Sequence, residues 1–205
     1  MPITTEAESA QLDALRDAIA RALIQDRDSV AGPSSDYGRA WIIVNTAYPM
    51  VAVVECKRLA NRIQEARSAA SDTAPHLVPG LDQAAEIIRP VSDEPRPSLI
   101  PKDGQDAVHQ AVAAEITRQR REGRPTASGV AAGVVDVAYG LMAQQVQTGA
   151  ANLLERVHSA ANHEATPGLE HAHHLLTRVA LDRVRPPRVG ATIATASRRS
   201  PAPEL

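Results

Sequence analysis

Residues 128–161 read SGVAAGVVDVAYGLMAQQVQTGAANLLERVHSAA. From residue 125 to residue 154 the chain carries one formal charge, Asp136. A stretch this apolar must be surrounded by the rest of the protein, and it reads as the long central helix of an all-α bundle. At the helical step, Val130, Val134, Val137 and Leu141 fall within about 60° of one another. Ala150, Leu153, Leu154, Val157 and Ala161 centre roughly 160° away. Either the helix kinks near Gln147 to Gly149, or it is buried on different sides along its length. Gly129 and Gly133, with Gly140 further on, would let a neighbouring backbone come close, which in a soluble chain reads as tight helix packing.

The composition sets the terms for that packing. The 205 residues are 43% hydrophobic and 22% charged with a net charge of −2, a soluble globular profile with no global attraction to nucleic acid or anionic lipid. Trp41, Tyr37, Tyr48 and Tyr139 are the only aromatics and Phe is absent, so the core must be aliphatic and alanine-rich. Small side chains bury little area each, and stability then requires extensive helix contact. The same scarcity disfavours recognition of nucleic acid by base stacking. Cys56 stands alone, which excludes an intramolecular disulfide or a thiolate metal cluster and makes it a buried small hydrophobe. The first residues lack a basic region followed by an apolar run, and no apolar run is long enough to cross a bilayer. A cytoplasmic protein with no membrane partner is expected, and arginine in place of all lysines but Lys57 and Lys102 points to a bacterial genome rich in G and C.

Working outward, a helix is expected from about Thr5 to Gln25. Thr5 and Glu8 have capping-box spacing, and Leu12, Leu15, Ile19, Ala22 and Leu23 form its apolar stripe. Tyr37 to Ala70 contains a second apolar block, in which Pro49 predicts two helices or one kinked helix meeting near Ala47 and Tyr48. Trp41 and Met50 read as core, and Glu55 as a helix-flank residue. Residues 71–104 form a long proline-rich connection with room for one short helix at about Leu81 to Arg89. From Asp103 or Gly104 to Gly123 a further helix turns Ala107, Val108, Ala111, Val112 and Ile116 inward.

Two clusters invite chemical readings. Arg118, Arg120, Arg121 and Arg124 gather at a helix C-terminus, where the dipole favours cations. The alternative is a phosphate-binding surface, extended by a basic tail over 185–205 that is expected to be disordered. The second cluster is histidine-rich: Glu155-x-x-His158 and Glu170-x-x-His173 flank a turn, a doubling that resembles the pairs of di-iron carboxylate bundles. The helical step turns both glutamates to solvent, leaving His158 and His173 as weak metal candidates. His163-Glu164 begins a zinc-protease pattern, but Pro167 stands where its second histidine belongs. Asp136 reads as a solvent-facing or hydrogen-bonded structural acid. No catalytic residue, phosphate loop, dinucleotide fingerprint, nucleophile elbow or cofactor motif is found, and no period of 20–50 residues repeats.

The expectation is therefore a bundle of five or six helices in one domain over residues 1–184. Its expected role is that of a non-enzymatic interaction or accessory protein, homo-oligomeric or bound to another protein. A nucleic-acid-associated or regulatory protein using the four arginines is the first alternative, and a metal-dependent helical-bundle enzyme the second.

Overall fold

The computed structural model describes residues 6–29, 34–90, 105–123 and 126–184, and every long element among them is an α-helix. In chain order these are α1 (Glu6–Arg27), α2 (Asp36–Thr73), α3 (Val78–Ile88), α4 (Gln105–Arg121), α5 (Ala127–His158) and α6 (Thr166–Val184). A single 3₁₀ turn, Pro75–Leu77, leads into α3. Thr5, residues 91–104 of the proline-rich connection, Arg124 and the basic tail lie outside the described residues. Among the described residues no helix is long and apolar enough to cross a membrane.

The central segment is one uninterrupted helix. Of the two readings open to it, burial on different sides holds, because α5 meets α1, α2, α4 and α6 along its length. Its most buried positions include Ala131, Val134, Val135, Ala138, Met142 and Ala143. Val137 and Leu141, expected inside, are 40% and 37% exposed. The inward face of α5 carries Val134, Val135, Met142 and Leu154 among small residues, so aliphatic size alone does not mark it.

α2 likewise runs on through Pro49 as one 38-residue helix. Pro49 deprives the Asn45 carbonyl of its amide partner, yet both residues are exposed, so water can take the vacated bond. Trp41, expected in the core, is 57% exposed: Ala40, Ile43, Val44 and Ala47 set the inner face, and Trp41 follows Ala40 by one helical step outward. Glu55, expected at the helix flank, is fully buried. α3 begins before the expected Leu81, because Pro79 at its N-terminus is compatible with the first turn. In α4, Val108, Val112 and Ile116 are buried as expected, whereas Ala107 is exposed.

The six helices are two similar units of three. Moved along the chain by a constant offset, Ala40 falls on Ala131, Val44 on Val135, Ala47 on Ala138, Tyr48 on Tyr139, Ala52 on Ala143 and Ala60 on Ala151. Even the caps correspond. The Ser35 hydroxyl accepts from the amide of Gly38, and the Thr126 hydroxyl from that of Gly129. α3 and α6 both open with Pro-Gly-Leu and an acid, Pro79 to Asp82 and Pro167 to Glu170.

Packing is reciprocal as well. α2 and α5 form a central pair, α1 lies on α5 as α4 lies on α2, and α3 crosses α6. Tyr48 of α2 donates to Gln145 Oε1 of α5 at 2.8 Å, and Tyr139 of α5 donates to Glu55 Oε1 of α2 at 3.3 Å, which makes the pair antiparallel. The arrangement is a pseudo-two-fold, the geometry of an isologous dimer contained in one chain. Its repeat is about half the chain, well beyond the periods expected of stacked repeats.

Where α3 meets α6 the backbones touch. A Cβ on Gly80 would overlap the Ala165 carbonyl and lie 2.6 Å from Gly168 Cα; one on Gly168 would overlap the Leu77 carbonyl and lie 2.7 Å from Gly80 Cα. Gly140, by contrast, has nothing within 4 Å of an added Cβ. Gly168→Ala is therefore expected to destabilise by about 3 kcal/mol, since the clash is with backbone that cannot rotate away. Gly140→Ala should stabilise by about 0.5–1 kcal/mol through helix propensity alone. Urea unfolding of the two variants checks the pair, and equal midpoints would contradict the crossing.

Candidate functional site

Between α1, α2 and α5 the surface opens into a cleft of about 810 Å³, within the size range of small-ligand sites. Leu12 and Leu15 of α1, Pro49, Met50, Val51, Val53 and Val54 of α2, and Val135 of α5 supply most of its wall. Gly140 leaves one side of it open down to the α5 backbone.

A small charged set stands in this apolar wall. Glu55 is fully buried, and Arg58, one turn on, donates Nε to its Oε2 at 3.0 Å while Nη2 stands 2.8 Å from the same oxygen. The Tyr139 hydroxyl reaches Oε1 from α5. A buried carboxylate needs such partners, because an uncompensated charge in the interior is strongly destabilising. Arg16 of α1 also lines the cleft; its Nη1 donates to Asp13 at 3.0 Å and its Nη2 lies 3.8 Å from Asp136. Asp136 is exposed, the solvent-facing acid that its helical position implied. Gln11, Lys57 and Asn61 complete the polar lining. The sequence reading missed this site. Its only local signal was Glu55 and Arg58 at i,i+3 after an apolar block; the stronger signal was the alignment of α2 with α5, where Val146 occupies the place of Glu55.

The arginine cluster lies elsewhere. Arg118 donates Nε and Nη2 to the two oxygens of Glu115 at 2.8 and 2.7 Å, and Nη1 to Glu122 at 2.8 Å. Arg120 pairs with Asp36 at the start of α2, where Thr117 also donates at 2.9 Å. Arg121 is exposed. Gly133 makes room for this network, since a Cβ there would overlap the Gln119 amide and lie 2.6 Å from Glu115 Oε1.

Of the metal candidates, His158 and His173 are half-buried, Glu155 and Glu170 are exposed, and His174 lies 3.8 Å from Glu170. Among the described residues no three His, Cys, Asp or Glu side chains converge on a common point. His109, outside both clusters, is buried with its ring 6.1 Å from that of Tyr37. No family model, curated protein or solved structure matches the chain.

Two buried carboxylates outside the cleft respond to acid. The Arg118 hydrogen bonds hold Glu115 below the usual carboxylate range, outweighing burial, and the Gln119 amide adds to the lowering. For Asp26, burial pushes upward, but the Ser34 hydroxyl at 2.5 Å, the Ser34 amide and Arg39 together leave it lowered. A depressed folded pKa contributes stability that is present above the unfolded value and lost as pH falls through the folded one. The melting temperature is thus expected to decline below about pH 4, and Glu115→Gln to flatten that decline. Thermal scans through the acid range measure it; an unchanged slope in both Glu115→Gln and Asp26→Asn would refute the assignment.

Proposed function

We propose that this chain is a non-enzymatic binding or accessory protein that works by holding a partner molecule in the α1–α2–α5 cleft. The observation that carries the reading is the cleft itself, a largely apolar concavity of about 810 Å³ with the buried Glu55 carboxylate in its wall, held by Arg58 and Tyr139. Glu55, Arg58 and Tyr139 are bound to one another, an arrangement suited to fixed recognition of shape and charge. The helices that carry these groups are locked by the pseudo-two-fold packing, so the site is held by rigid elements.

Gly140→Phe tests the reading, because the new side chain would enter the cleft from a position with open space above it. Native mass spectrometry of untagged protein, purified without chelators, is expected to retain a partner mass on the wild type and to lose it in Gly140→Phe at unchanged melting temperature. Identical spectra for the two proteins would sink the proposal. The same spectra report whether the chain assembles with itself, as its small-residue surfaces led us to expect.

A further inference from the structure

The pseudo-two-fold provides an internal control for the cleft. Position 55 corresponds to Val146 and position 58 to Gly149, and Val146 is fully buried as Glu55 is. The same helix pair therefore accepts a valine where the first unit places a carboxylate, and the Glu55–Arg58 pair is not a requirement of the fold. Apolar replacement of a buried ion pair is often neutral or stabilising, which leaves the charged version in need of another reason.

The geometry supplies one. Glu55 engages the Nε and Nη2 edge of Arg58, while the Tyr139 hydroxyl steadies the carboxylate from α5. A guanidinium held along one edge keeps donors on its other end, with its rotamer freedom already reduced. Arg58 lines the cleft, and Arg16 and Lys57 join it there, beside the carboxylates Glu55 and Asp136. Arg16, like Arg58, is steadied by carboxylates, here Asp13 and Asp136. Beside these groups Leu12, Met50 and Val54 offer only aliphatic surface.

We propose that the cleft binds a small amphipathic monoanion, an aliphatic carboxylate whose chain lies on the apolar wall and whose head meets the outer donors of Arg58. Arg58 is the binding residue, and Glu55 is a positioning residue that acts through it. This rests on the reading of the cleft as the working site. Charge-assisted contact to arginine supplies the head-group preference, and apolar burial the remainder.

The test is an amide chemical-shift titration of the full chain with decanoate, decanol and decylamine, which share a chain and differ in head-group charge. Decanoate is expected to move cleft amides such as those of Val54 and Gly140, and to bind at least tenfold more tightly than decanol, equivalent to about 1.4 kcal/mol. Glu55→Val should weaken decanoate several-fold and leave decanol unchanged, with Glu55→Gln in between. Arg58→Met alone would remove the cation that balances a buried carboxylate, so the double variant Glu55→Val, Arg58→Met is used as well; in it decanoate and decanol should bind alike. Equal binding of decanoate and decanol by the wild type, or tightest binding of decylamine, would overturn the anion proposal and leave the cleft standing as a binding site. No cleft shift with any of the three probes would overturn it too, and if Gly140→Phe then matched the wild type in its bound mass, the cleft reading would fall with it.

Discussion

Contact between helix backbones is the constraint on which this structure depends. With no phenylalanine and alanine the commonest residue in a core otherwise filled by valine, leucine and isoleucine, few side chains can bridge a wide gap between helices. Dispersion and burial must come from many short contacts along long cylinders. Gly80 and Gly168 are the extreme case, where a methyl group on either helix would enter the other backbone. The 38-residue α2 and 32-residue α5 follow from the same constraint, since length compensates for the small area buried per residue.

Close contact over long helices also makes the pseudo-two-fold economical. If one three-helix unit presents a self-complementary face, a second unit of similar sequence buries that face without new shapes. At Gly133 the expected close approach of a neighbouring backbone is not what is found: the Glu115 and Gln119 side chains of α4, within the same chain, fill the space. The close contact expected of small residues is thus already met inside one molecule at this position.

Most of the fold was legible, because helix ends and proline positions are local signals. α1, α4 and α5 lie within a few residues of where capping, charge and periodicity put them. What failed was the inference from size to burial. Trp41, Val137 and Leu141 are the residues that a hydrophobicity argument places inside, and each is exposed because size alone does not mark the contact face. The candidate site was illegible for a related reason. Glu55 sits in the i,i+3,i+4 rhythm of the buried face with Val51, Ala52 and Leu59, but a charge in an apolar run reads locally as the end of that run. Arg58 on the same helix balances that charge, but the hydroxyl of Tyr139 comes from the partner helix, and a partner 84 residues away leaves no local trace.

Among the differences between the two units, the ion pair placed in the central helix of only one of them points to where selection for something other than folding has acted. Local choices that serve folding should agree between the two units, as the caps, the Pro-Gly-Leu openings and the alanine positions do. Glu55 against Val146 and Arg58 against Gly149 break the agreement at adjoining turns, both on the wall of the cleft. A buried ion pair is seldom the most stable filling of such a position, and this molecule contains the apolar alternative in its own second half. A departure of that kind, two opposite charges in hydrogen-bond contact on the wall of one concavity, is better explained by what the cleft must hold than by what the bundle needs to stand.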